Sequence, residues 1–351
     1  MVDEHSFFMQ RCLELAKLGA GKVAPNPLVA CVIVYEGLII GEGFHQQFGG
    51  PHAEVNAIKS VMAQALLSKS TLYVNLEPCS HFGKTPPCAN LIIESKIKRV
   101  VIGMADPNPL VAGKGIQRLK EAGIEVILGV LETECKELNK RFLTFIEKKR
   151  PYLILKWAQT RNGFLSPDST KMSAEQFEEE RHITGRIVQK LVHKWRTEEA
   201  AIMVGTHTAL ADNPALNARE WVGNLPLRVV LDRTLRLPKD LKTFDQSQPT
   251  WIINEKEEKS EGKTKYVQVD FTGDWFSILL GKLFEANIQS LIVEGGAQLL
   301  NYIIDNELWD EAIVFYSPKQ ISAGIKSPFI GGEIIQQLEI DNCQMTQYKR
   351  I

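Results

Sequence analysis

"PHAEVNAI" at 51–58 is answered by "LEPCSHFGKTPPCAN" at 76–90, and how these two stretches meet decides the fold of the first half of the chain. Pro51, Pro78 and Pro87 directly precede His52, Cys79 and Cys88. Proline favours the first position of a helix, so each of these three residues is expected to open one. Helix N-termini carry partial positive charge and lower thiol pKa values, which favours thiolates. One imidazole and two thiolates are a ligand set for catalytic zinc, which needs three protein ligands and an open position for water. The metal would bring the pKa of that water to about 7, and Glu54, beside the ligands without being one, would carry its protons to a leaving group.

Two plainer readings compete. H-x-E is common, and two cysteines can simply be core residues. A structural zinc would take a fourth ligand, for which His81 is the local candidate. The zinc-deaminase signature is H-x-E followed by P-C-x-x-C. "HAE" and "PC" fit it, but eight residues rather than two separate Cys79 from Cys88.

Composition narrows the field. The 351 residues suggest about two domains. A formal net charge of −1 gives no electrostatic footprint for nucleic acid or a membrane surface. No apolar run approaches bilayer length, and the N-terminus, with Asp3 and Glu4 ahead of an amphipathic helix, is not an export signal. Six thinly spread cysteines are then expected to stay reduced, in the cytoplasm.

The first segment alternates helix and strand. Helix is expected near 6–18, at 51–67, after Cys88, at 114–122 and at 132–147; strand is expected in "LVACVIVYEG", "TLYVNLE", "RVVIGM" and "IEVILGV". That pattern predicts a layered α/β domain with a largely parallel sheet. At "EKKRPYLILKWAQT" a charged helix end meets Pro151, so the boundary falls at 148–151, giving domains 1–147 and 151–351. In the second domain strands are expected at 152–158, 200–205, 227–232, 250–254, 266–269, 290–294 and 311–316, with helices at 185–196, 274–286 and 297–305. "NEKEEKSEGKTK" at 254–265 reads as a solvated loop.

"PNPLVACVIV", "HAEVNAI", "LEPCSHFGKTPPCANLII" and "DPNPLVAGKGIQRLKEAGIEV" together resemble the deaminase half of the bifunctional deaminase–reductases of riboflavin biosynthesis. In that family the long cysteine spacing is the norm. The resemblance implies a cytidine-deaminase-like three-layer domain followed by a dihydrofolate-reductase-like α/β domain, both in a self-associating enzyme. It also implies a diaminopyrimidinone ribosylamino phosphate substrate, with ammonia as the leaving group. Asn26, His45, His81 and Lys84 match polar positions around the family's deaminase pocket, with Lys84 or His45 meeting the substrate phosphate.

In the second half, "VGTHTALADNPALNAR", "LIVEGGAQLL" and "LVHKWR" carry the information. Small polar loops and a Gly-Gly turn before a helix can hold anions, but no G-x-G-x-x-G is present. The three pieces resemble the family's reductase half, which implies NADPH as hydride donor. By position Ala158, His182, Thr208, Asp212 and Gly296 would touch NADPH, and Arg196, Leu216, Arg219 and Glu294 would hold the substrate. Asp212 or Glu294 would assist proton transfer. Which residue reads the 2′-phosphate is left open. Asn162 stands where the family has Asp, and His182 where it has Trp, which keeps a deaminase-only enzyme as the runner-up reading.

Overall fold

A computed structural model describes residues 3–80, 86–108, 112–168 and 170–351. His81 and Lys84 lie outside the described residues. The chain forms two compact units, 1–150 and 151–351.

The first unit runs α1 (Glu4–Ala16), β1 (Ala30–Tyr35), β2 (Leu38–Phe44), α2 (Ala53–Ser60), β3 (Thr71–Leu76), α3 (Cys88–Glu94), β4 (Arg99–Met104), α4 (Lys114–Glu121), β5 (Glu125–Leu128), α5 (Glu132–Leu138) and α6 (Lys140–Lys148). Its sheet has the order β2-β1-β3-β4-β5. The β3–β4 and β4–β5 pairs are parallel. The β1–β2 and β1–β3 pairs are antiparallel, so the unit is half parallel rather than largely so. The sequence reading missed β2, whose exposed Leu38 and Ile39 and two glycines blur the alternation. Ala57, Ile92 and Leu119 from α2, α3 and α4 pack with Ile33 and Val100 on one face. Phe8 and Cys12 of α1 and Cys135 of α5 pack with Val32 and Val101 on the other, giving three layers. The expected helices at 51–67 and 132–147 are each broken, the first after Ser60 and the second at Asn139. Asn139 is buried there and its amide is spent on the backbone of Leu28.

The second unit runs β6 (Tyr152–Thr160), β7 (Phe164–Pro167), α7 (Ala174–Glu180), α8 (Arg186–Glu198), β8 (Ala201–Val204), α9 (Thr206–Asp212), β9 (Leu227–Leu231), β10 (Thr250–Asn254), β11 (Lys259–Glu261), β12 (Thr264–Gln268), α10 (Trp275–Glu285), β13 (Ser290–Val293), α11 (Ala297–Asp305), β14 (Glu311–Ser317), β15 (Gly324–Lys326), β16 (Glu333–Ile340) and β17 (Cys343–Lys349). Its main sheet has the order β11-β12-β10-β9-β8-β13-β6-β14-β17-β16. From β12 to β14 every neighbour is parallel. Strands such as "AIMV" and "SLIV" are buried throughout, as a sheet covered on both faces requires. The expected loop at 254–265 instead contains β11, which hairpins onto β12 through a left-handed Gly262. In such sheets ligands bind beyond the carboxyl ends of the parallel strands. Those ends of β6, β8, β9 and β13 deliver Ala158, the 205–219 segment, the 232–237 turn and Glu294.

Candidate active sites

In the first unit, His52 is the N-cap of α2 and Cys88 the first residue of α3. Cys79 lies in the loop after β3 and opens no helix, and none of the three prolines occupies a first helical position, contrary to the sequence expectation. What gathers the ligands is the sheet, which places the end of β3 beside the start of α2. His52 Nδ1 is 3.6 Å from Cys79 Sγ and 3.3 Å from Cys88 Sγ, and the three ligand atoms all lie within 4.8 Å of one another. The backbone N–H of Cys88 donates to Cys79 Sγ at 3.3 Å. The Cys88 thiol, then His52 and that backbone N–H, hold the Cys79 thiol down, at about 4, while Cys88 is pushed up because its proton is held against the Cys79 sulfur. One imidazole and two sulfurs in a triangle fit a zinc ion.

Glu54, in the first turn of α2, is 3% exposed, and burial followed by the Cys79 sulfur raises its carboxyl. It lines a cavity of about 270 Å³ together with His52, Cys79, Asn26 and His45. Asn26 Nδ2 and His45 Nε2 are 3.0 Å apart, and His45 Nδ1 is 3.0 Å from the carbonyl of Pro51, the residue before His52. With Nδ1–H donating to that carbonyl, Nε2 accepts from Asn26.

Sequence reasoning passed over three residues of this cavity: Glu77, Asp106 and Asn108. Glu77 is 4% exposed and its carboxylate accepts four backbone N–H groups, from Asp106, Gly113, Gly115 and Ile116, at 2.9–3.2 Å. It thereby ties the Pro78–Cys79 turn to the N-terminus of α4. Gly115 lets them meet, since a Cβ there would lie 2.0 Å from the Pro78 carbonyl. The signal was the acid-rich "LEP…ADPNP" pair at the ends of β3 and β4.

In the second unit, a cavity of about 630 Å³ is lined by Lys156, Arg196, Asp212, Leu216, Arg219 and His193, among others. Arg196 engages Glu294 and also donates to the Asn217 carbonyl at 3.0 Å. Burial alone would raise Glu294, but Arg196 and then Lys156 outweigh it and hold the carboxyl down to about 2. Lys156 lies 4.0 Å from Glu294, and its own pKa is lowered by burial. It was missed because a lone lysine in "LILKWAQ" reads as an interruption of a buried strand. Asp212 is half exposed at the cavity edge; partial loss of solvent there raises its carboxyl, against Arg181 at 3.9 Å. Arg219 is exposed, and Leu216 sits in the left-handed region with its carbonyl held by Gln248.

A neighbouring cavity of about 300 Å³ holds Thr208 and Gly296. Gly295 and Gly296 are left-handed, and a Cβ on Gly296 would lie 3.2 Å from Thr208 Oγ1. That close approach of the Thr208 hydroxyl to a glycine turn opening α11 fits the phosphates of a dinucleotide. Ala158 packs in the core beside the end of β6. His182 is exposed, is not among the residues lining these two cavities, and presents its carbonyl to Lys319 Nζ at 2.7 Å. Asn162 is spent locally, accepting from Thr160 Oγ1 and donating to the Ile321 carbonyl, both at 2.8 Å.

Together these sites define a zinc-dependent deaminase joined to a dinucleotide-dependent reductase. Residues 2–104 match the cytidine and deoxycytidylate deaminase zinc-binding region, and residues 151–350 match the RibD C-terminal domain. Riboflavin biosynthesis protein RibD of Aquifex aeolicus is 42% identical over 94% of this chain and 91% of that protein. The Escherichia coli protein of the same name is 36% identical over 92% and 89%. A solved structure from Thermotoga maritima, described as a diaminohydroxyphosphoribosylaminopyrimidine deaminase/5-amino-6-(5-phosphoribosylamino)uracil reductase, superposes with a TM-score of 0.87 at 37% identity, covering 99% of both chains. RibD of Acinetobacter baumannii superposes at 0.86 with 31% identity over the whole of both chains. The chain belongs to the RibD family, the bifunctional deaminase–reductases of riboflavin biosynthesis, which use zinc and NADPH.

Proposed function

We propose that residues 1–147 deaminate 2,5-diamino-6-ribosylamino-4(3H)-pyrimidinone 5′-phosphate and that residues 151–351 then reduce its ribosyl group to ribityl. The observation that carries this reading is the His52–Cys79–Cys88 triangle with a buried carboxyl, Glu54, in the same cavity. A purely structural metal would have no use for that carboxyl.

Held by His52, Cys79 and Cys88, zinc supplies the Lewis acidity that makes water a nucleophile near neutral pH. Glu54 takes the proton of the attacking water and delivers it to the amino group, so that a C–O bond replaces C–N and ammonia departs. Asn26 and His45 position the ring or its substituents; the phosphate falls to Lys84 or His45. This reading needs no fourth protein ligand such as His81.

In the second domain Thr208 and Gly296 would hold NADPH, which would supply a hydride to the sugar carbon bonded to nitrogen; as the ring C–O bond opens, the released oxygen needs a proton. Glu294 is held ionised by Arg196 and so orients. Asp212, whose carboxyl is raised by partial loss of solvent at the cavity edge, and Lys156 are the groups able to give that proton. Arg219 and Arg196, beside Leu216, hold the sugar phosphate. Asn162 and His182 lie away from these contacts, which favours two working halves over a deaminase alone.

Six free thiols suit the cytoplasm, and a near-neutral charge speaks against nucleic-acid substrates. No helix among the described residues is long and apolar enough to cross a membrane. The edge strand β16 exposes Ile334, Ile335 and Leu338, which favours self-association. The test is product analysis with Glu54→Gln: given the diaminopyrimidinone it should release ammonia about 10²–10⁴-fold more slowly, and given the deaminated compound it should still oxidise NADPH. Deamination at the wild-type rate would refute the assignment.

A further inference from the structure

Past the carboxyl end of β9 a guanidinium meets an imidazole of α9, and the reductase chemistry uses neither. Buried Asp232 folds the turn that follows: its carboxylate accepts the N–H groups of Arg236 and Leu237, both at 3.0 Å, while Leu235 adopts a left-handed φ of 57°. Such a conformation is uncommon for leucine and marks a turn fixed by its surroundings. A second tie joins this turn to α9, where Thr206 Oγ1 donates to the Leu231 carbonyl. The next residue, His207, is thereby brought to Arg236, with Nε2 3.4 Å from Nη2. Both line the cavity that holds Thr208 and Gly296.

Charge at this point is uncompensated. The neighbouring Arg233 is paired with Glu255 at 2.7 Å and lies over the Phe271 ring, whereas Arg236 has no carboxylate partner among the described residues. None of the described residues lining the cavity is an acid. In dinucleotide sites a carboxylate accepts from the free ribose 2′-hydroxyl of NAD, and an arginine accommodates the 2′-phosphate of NADP. A cavity with an arginine, an imidazole and no carboxylate meets the second condition and not the first.

Building on the reading of this cavity as the cofactor site, we propose that Arg236, with His207 beside it, binds the adenosine 2′-phosphate and sets the preference for NADPH over NADH. Thr208 and the Gly295–Gly296 turn take the part common to both cofactors. The guanidinium offers a fork to the phosphate oxygens, and the imidazole a further N–H.

Isothermal titration of the full-length protein with NADPH and with NADH separates the possibilities without reference to turnover. Wild type should bind NADPH more tightly than NADH. Because charge-assisted hydrogen bonds are lost, Arg236→Ala should weaken NADPH about 10–100-fold and leave NADH within about 3-fold. His207→Gln should shift NADPH in the same direction by less. Arg236 is exposed, so the fold should survive, and Arg236→Lys, which keeps charge but not the fork, should fall between. Equal losses for both cofactors would put Arg236 on the shared pyrophosphate and overturn the proposal, as would no loss for either. Wild type that binds neither cofactor would overturn the reductase reading and this assignment with it.

Discussion

Arg196 and Glu294 meet fork to fork, with Nε to Oε1 at 2.8 Å and Nη2 to Oε2 at 2.6 Å, although they are 98 residues apart in the chain. Both side chains are nearly out of solvent, at 13% and 9% exposure. Arg196 comes from α8 and lines the larger cavity, as does Lys156 beside the pair, while Glu294 directly follows β13. Breaking the pair by Arg196→Ala leaves a buried carboxylate with Lys156 alone, and should cost about 3–5 kcal/mol in the unfolding of the second unit. Chemical denaturation followed by circular dichroism checks this.

The same pair gives a pH dependence. The Glu294 carboxyl is held near 2, below its ordinary 4.5, so it is ionised in the folded protein where the unfolded chain has begun to take up a proton. Its stabilisation is therefore complete above about 4.5 and is lost as pH falls toward 2, at about 1.4 kcal/mol per pH unit within that window. Glu294→Gln should lack this component. Unfolding curves between pH 3 and 6 should accordingly fall less steeply for the variant; parallel curves would contradict the assignment.

Glu54→Gln removes a proton carrier and leaves the ligand triangle intact. Deamination should drop about 10²–10⁴-fold, with metal content unchanged by elemental analysis. Loss of zinc together with activity would point instead to a structural role for the carboxyl.

Removing the metal discriminates in another way. A structural zinc contributes directly to folding, whereas a catalytic one sits on a preformed site. Chelation should abolish ammonia release while NADPH binding and the far-ultraviolet spectrum persist, and zinc should restore activity. Unfolding of the first unit on chelation would contradict this.

Glu77 gives a prediction on the deaminase cavity wall. Glu77→Gln replaces an acceptor oxygen with an amide facing N–H donors, so the turn carrying Cys79 and the Asp106–Asn108 segment should loosen together. KM for the pyrimidine should rise with metal content kept, and Glu77→Ala should go further. A change in melting temperature with KM unmoved would make the residue purely structural.

The two kinds of site differ in how far they could be read from residues alone. His52, Cys79 and Cys88 were legible because few chemistries use that trio, although the capping geometry expected from the prolines did not appear. The parallel strands were legible because burial on both faces makes them continuous apolar runs. The β16–β17 hairpin was not, since "EIIQQLEI" is exposed along nearly all its length and alternates weakly; its Asp341-Asn342 turn, both residues left-handed, was the signal available. Glu77 and Lys156 escaped because their roles depend on partners far along the chain: the N–H groups Glu77 accepts lie 29–39 residues away. Arg196 and Glu294 came through family resemblance, which named them separately and did not reveal that they bind each other.

The most direct test of two sites acting in order is a single time course. Zinc-loaded protein, NADPH and the diaminopyrimidinone ribosylamino phosphate are mixed, and ammonia and NADPH are followed together. Ammonia should appear first and NADPH should then fall until the two amounts match. Zinc-loaded protein that releases no ammonia, or that consumes NADPH ahead of it, would contradict the account.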